Sequence, residues 1–152
     1  MKNVIFILLG LVLVSCNDSS VFKELDKDFT DNRWLKSDIR EFKFEISDTL
    51  QAYDMTLLFS HVAGFQFDLI PIRISMTAND EKYSENFLLR TKDLQGNDSG
   101  DCIGDYCDIE QIVFKGLKLA PGNYTVNIGH DFPNDYLPNV LGLGIEIKKS
   151  EK

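Results

Sequence analysis

Apolar and polar residues alternate along most of this chain. Phe42, Phe44 and Ile46 are interleaved with Lys43, Glu45 and Ser47, the period of two expected of a strand with one buried face. Tyr53, Met55, Leu57 and Phe59 repeat the pattern, with Leu58 on the opposite face. Ile70, Ile72, Ile74 and Met76 alternate with Pro71, Arg73 and Ser75, and Pro71 predicts an edge strand or the start of one. Phe87 to Arg90 is a shorter candidate, and Ile109 to Phe114 is another, ended by a turn at Lys115-Gly116. Tyr124, Val126 and Ile128, then Leu141, Leu143, Ile145 and Ile147, complete the set. Turn-rich segments separate these runs: Asn79-Asp80, Gln95 to Asp98, and Pro121-Gly122-Asn123. No stretch of this part shows a long 3.6-residue apolar period. About seven to eight short strands predict an all-β fold, an antiparallel β-sandwich of jelly-roll or immunoglobulin-like type, over residues 29–152.

The N-terminus breaks the alternation. Val4 to Val14 is an uninterrupted apolar run of about 11 residues, about 16 Å long as a helix and too short to cross about 30 Å of hydrocarbon. It follows Lys2 and precedes small residues, the arrangement of a secretory signal. A buried N-terminal helix or strand fits less well, because Asn17-Asp18-Ser19-Ser20 follows at once. Leu13-Val14-Ser15-Cys16 resembles a bacterial lipobox, with a branched apolar residue three before the cysteine and a small one directly before it. That resemblance implies cleavage before Cys16 and a thioether-linked diacylglycerol on its sulfur. Two or three acyl chains such as palmitate anchor a protein stably where one does not. The expected organisation is therefore a lipoprotein signal peptide over 1–15, a lipidated polar tether over 16–28, and the sandwich. A short amphipathic helix over Val21 to Leu25 is an alternative for part of the tether.

Composition narrows the partners. The chain has 152 residues, 43% of them hydrophobic and 26% charged, which is globular rather than disordered. Its formal charge is −8, so attraction to nucleic-acid phosphates or anionic lipid by charge is not expected. With Cys16 committed to lipid, Cys102 and Cys107 remain, in the Gly/Asp-rich segment Gly100 to Asp108. In an oxidising envelope compartment they read as a local disulfide closing a small loop. Free thiols, or a metal or redox pair, are the alternatives. The spacing is not C-x-x-C, and two cysteines without a second Cys/His pair make half a zinc site.

Other chemistry-bearing residues are weighed the same way. His61 and His130 each end a predicted strand and read as surface or rim histidines rather than metal ligands. No G-x-S-x-G accompanies them, so hydrolase chemistry is not expected. The acids Asp93, Asp98, Asp101, Asp105, Asp108 and Glu110 are candidate Ca²⁺ ligands without the order of an EF loop, and otherwise a solvated loop. Trp34, with Phe29, Tyr53, Tyr83, Tyr106, Tyr124 and Tyr136, would form a glycan platform only if two or three rings share one exposed face; otherwise they are core. Asp48-Thr49-Leu50 resembles an O-glycosylation site described in gliding bacteria and their relatives.

Three stretches carry a family resemblance. They are FTDNRW (Phe29 to Trp34) leading into Phe42 to Ile46 and DTLQAY (Asp48 to Tyr53), the Gly-rich loop at Gly100 to Gly104, and Pro121 to Val126 followed by LPNVLGLGIEI (Leu137 to Ile147). With a lipobox in front, their order and spacing resemble the gliding-motility lipoprotein H (GldH) family over Phe29 to Lys148. The resemblance implies an outer-membrane lipoprotein facing the periplasm, associated with the gliding apparatus and the secretion system that shares its parts. It implies protein partners, no catalytic residue and no cofactor. The chain departs from the family's pattern at Asp101-Cys102, Asp131-Phe132 and Ser60-His61. A glycan- or calcium-binding envelope lipoprotein is the alternative reading.

Overall fold

A computed structural model describes residues 19–48, 51–78 and 81–151; residues 1–18, with the expected leader and Cys16, and residues 49–50, 79–80 and 152 lie outside the described residues. Eleven strands follow in chain order: β1 (Ser20–Asp26), β2 (Arg33–Leu35), β3 (Arg40–Ile46), β4 (Tyr53–Val62), β5 (Leu69–Ala78), β6 (Glu81–Arg90), β7 (Asp101–Ile103), β8 (Tyr106–Leu117), β9 (Gly122–His130), β10 (Tyr136–Pro138) and β11 (Val140–Lys149). One sheet has the order β1-β11-β4-β8-β7, the other β3-β9-β5-β6, and β2 with β10 forms a small ribbon. All the pairings are antiparallel.

The long strands, counted along the chain, stand 1-8-3-6 in one sheet and 2-7-4-5 in the other. Among these eight, only β5 and β6 are consecutive neighbours in one sheet; every other connection crosses between sheets. That is a jelly roll, so of the two sandwich types expected, this one forms. The inner faces meet through Leu57, Ile145 and Ile147 on one side and Ile72, Ile74, Val126 and Ile128 on the other, all buried. The alternation along β3, β4, β5, β9 and β11 is what the sequence predicts.

Four expectations change. Ser20–Asp26, read as tether, is β1, paired with β11 from Ser20↔Lys148 to Asp26↔Leu143. It is held by Phe22, whose ring lies 5.7 Å from that of Phe44, and by a glycine gap in β11. A Cβ on Gly144 would stand 2.0 Å from the Glu24 carbonyl oxygen, so β1 can come this close only to glycine. Second, of the two readings of Pro71 the edge strand is not found: β5 is an inner strand, and Pro71 lies near its start. Pro71 is tolerated because it lies one residue beyond the last β9 pair, Ile72↔His130, and its carbonyl still accepts from Asp131 N at 2.9 Å. Third, Lys115-Gly116 is not a turn. β8 runs on to Leu117, with register irregularities opposite Tyr53 to Thr56, and Gly116 N donates to Asp54 Oδ1 at 2.8 Å. Fourth, the short strands β2, β7 and β10 join the predicted set, and the Phe87 to Arg90 candidate extends to ten residues as β6.

Candidate functional site

The two ends of the sandwich differ. At one end the chain enters: Lys149 N donates to Ser19 O, and Lys149 faces Tyr53, the first residue of β4. At the other end β4 finishes at Val62, opposite Tyr106. Ten residues of strand put about 30 Å between them. The far end carries most of the residues singled out in the sequence.

Its frame is a set of loops hydrogen-bonded to one another. Ala63 N donates to Asp105 O, Thr91 N to Asp68 O, and Ser99 N to Thr91 O. The buried Thr91 hydroxyl also donates to Phe67 O. Asp98 accepts from Lys92 Nζ and from Gly64 N, both at 2.6 Å, with both charged side chains nearly buried. Burial opposes ionisation of Asp98, but the Lys92 ammonium and the Gly64 amide outweigh it and hold the carboxyl below its ordinary range. Asp93 accepts from the amides of Gln95 and Asn97, at 2.9 Å each, which makes a tight turn with Leu94 at its tip, 91% exposed.

β7 and β8 form a hairpin beside this turn. Cys102 faces Cys107 in register, and the two sulfurs are joined, with an S–S distance of 2.02 Å. Gly100 precedes the hairpin with φ +87°, and a Cβ there would lie 2.1 Å from Asp108 O. Only glycine allows this turn so close to the β8 backbone. Ile103 and Tyr106 flank the tip and are exposed. Asp98 has a carboxylate oxygen within 4.8 Å of both sulfurs. With the sulfurs bonded to each other and Asp98 engaged by Lys92 and Gly64, these three groups do not make a ligand set.

The acidic residues are not gathered round one point. Asp108 accepts from the Ser60 hydroxyl, and Glu110 lies 3.6 Å from Lys23. Asp93 and Asp98 are engaged as described. The arrangement does not favour Ca²⁺, which needs six or more oxygens around one position.

The histidines are not at the rim. Both are fully buried. His130 Nδ1 accepts from Phe132 N at 3.2 Å, so Nε2–H donates to Trp34 O at 3.0 Å, and the ring stands edge-on to Trp34 at 4.7 Å. Burial pushes the His130 pKa down, which keeps it neutral. His61 Nδ1–H donates to Val62 O at 2.9 Å, its ring lies 4.8 Å from that of Phe65, and Nε2 is buried with no partner among the described residues. A histidine that ends a strand looks like a rim residue in sequence; here the loops 63–68 and 131–139 fold over both.

Of the aromatic residues weighed as a glycan platform, most are taken up by the core, Tyr83 half-buried against it. Phe29, Trp34, Tyr53 and Tyr124 are core. Tyr53 OH donates to Asp48 O and Tyr124 OH to Ala120 O, so each closes a corner of the chain. Tyr106 sits on the β7–β8 hairpin, and Tyr136 lies in β10 under the Arg33 guanidinium, 4.9 Å from the ring centre.

A family model described as GldH lipoprotein matches residues 21–147. The chain belongs to the GldH lipoprotein family. Comparison with curated proteins and with solved structures finds no match. The matched span of this GldH lipoprotein starts in β1 and ends in β11, at strands that pair through Phe22↔Ile147. The family's region is thus the whole jelly roll, first strand included. Among the described residues no helix is long and apolar enough to cross a membrane.

Proposed function

We propose that this GldH lipoprotein is a non-catalytic accessory component of the gliding-motility machinery and its associated secretion system. It is held by lipid on Cys16 at the periplasmic face of the outer membrane, and it works by contact with other envelope proteins. The family match over residues 21–147 carries this reading. Two features of the molecule support contact as its mode of action. The far end presents Leu94, Ile103 and Tyr106 on loops braced by Asp93, by the Lys92–Asp98 pair and by the Cys102–Cys107 bridge. Exposed apolar side chains on a rigid support form contacts at low entropic cost. That end is also the one farthest from the point where the chain enters.

The test is cross-linking in intact cells followed by affinity capture on the lipidated protein. Other components of the gliding or secretion assembly are the expected catch, and their yield should fall when Leu94, Ile103 and Tyr106 are all changed to Ser. Capture of no envelope protein from the wild type would defeat the proposal.

A further inference from the structure

The sheet β3-β9-β5-β6 ends in a long edge. β6 is ten residues long, and among the described residues β5 is its one neighbour in the sheet. Its register with β5 is unbroken from Leu69↔Arg90 to Ala78↔Glu81, so no bulge turns the edge away, and no proline blocks it. The direction of its free groups follows from Pro71. The Pro71 carbonyl accepts from Asp131 N, on the β9 side. Leu88, opposite Pro71, is therefore in a wide pair, with its N–H and C=O aimed out of the sheet. Alternation adds Ser84 and Asn86. Such a row is a template for another strand.

The inner face of this edge carries a charge. Leu89, Phe87, Glu85 and Tyr83 stand opposite Ile70, Ile72, Ile74 and Met76, all four of which are buried. Leu89 is buried and Phe87 and Tyr83 are half-buried, but between them Glu85 is exposed, in no hydrogen bond or ion pair with a described residue. An inward-facing charge on an edge strand repels indiscriminate pairing. An apolar or acidic residue placed opposite would strand the carboxylate; a Lys or Arg would satisfy it.

A second copy of the chain fits poorly. Antiparallel pairing of β6 with itself, centred on Glu85, sets two carboxylates face to face. Centred on Asn86, it sets Lys82 against Arg90.

We propose that β6 is the docking edge for an extended segment of another protein. That segment carries a Lys or Arg opposite Glu85 and apolar residues two positions to either side, packed on Tyr83 and Phe87. This deepens the contact role proposed above and rests on it.

The experiment uses the full lipidated protein in detergent micelles and two fluorescent nine-residue synthetic peptides of Thr and Val. One has Lys at its centre with Val two positions away on each side; its twin has Glu at the centre. The Lys peptide should bind about tenfold more tightly than the Glu twin. Glu85→Lys should invert that preference. Asn86→Pro, which removes an outward N–H and no bond to β5, should abolish binding with the circular dichroism spectrum unchanged. Equal affinity for the two peptides, binding that survives Asn86→Pro in a folded protein, or a dimer cross-linked through Ser84→Cys would each overturn the proposal. If Asn86→Pro does not fold, the inversion by Glu85→Lys decides. Envelope partners still captured in full by both variants would remove β6 and leave the contact role standing; a wild type that captures none removes the role itself.

Discussion

His130 holds a single protonation state because both ring nitrogens are committed. Nδ1 accepts from Phe132 and Nε2–H donates to Trp34, in a site sealed from water. With its folded pKa lowered, the ring adds little to the pH dependence above about pH 7.5, where folded and unfolded chains both carry it neutral. Below that, the unfolded chain takes up a proton the folded one refuses, so stability falls as pH drops. Urea midpoints should decline from pH 6.5 to pH 5, and His130→Gln should flatten that slope whatever it does to the midpoint itself. Arg40 is a second residue whose role comes from its surroundings. Its guanidinium reaches Asp26 at 2.5 Å, Asp38 at 2.6 Å and Asp28 O at 2.7 Å, and lies 4.2 Å from the Phe29 ring centre. Arg40→Ala leaves these acids facing one another and should cost about 2–4 kcal/mol in chemical denaturation. Arg40→Lys should recover only part, because an ammonium cannot span both carboxylates. Neither residue announces its role in the sequence. His130 finds its carbonyl 96 residues away at Trp34, and the acids round Arg40 come from the end of β1 and from the turn before β3.

At the scale of single strands, legibility followed length and alternation. β3, β4, β5, β9 and β11 have long apolar periods and were found. β2, β7 and β10 span three residues each, too few to show a period. β6 was half found, because Glu85 occupies an inner position where the pattern calls for an apolar residue. β1 does not show in the sequence because its apolar residues, Val21, Phe22 and Leu25, keep no period of two; its signal lies in its partner, in the glycines of β11. Gly144→Val should push β1 off the sheet. Hydrogen exchange should then rise sharply over Phe22 to Asp26 and stay unchanged in β9. The cysteine pair, by contrast, reads as a disulfide from the oxidising compartment that the lipobox implies, whereas the Lys92–Asp98 pair that braces it leaves no mark in the sequence. Replacing both Cys102 and Cys107 by Ser removes a closed loop of a few residues, worth about 2 kcal/mol by chain entropy. The loss should appear as faster exchange in β7 and the start of β8, with the second sheet unaffected.

For the molecule as a whole, the proposed lipid on Cys16 sets which end of the sandwich lies toward the bilayer: the end where Lys149 N donates to Ser19 O, with the β7–β8 hairpin at the other. Cys16→Ala should free the protein into the soluble fraction on osmotic shock; a variant that still sediments with membranes would contradict the anchor.

β1 follows Cys16 within a few residues, so the leash is short, about 3.5 Å per residue at most. When lipid holds that leash and a partner holds the β7–β8 hairpin, tension runs parallel to the strands. β1 and β11 are then loaded in shear. The six registered pairs from Ser20↔Lys148 to Asp26↔Leu143 must break together instead of unzipping in turn. Anchored and engaged as proposed, the domain would be a stiff mechanical link.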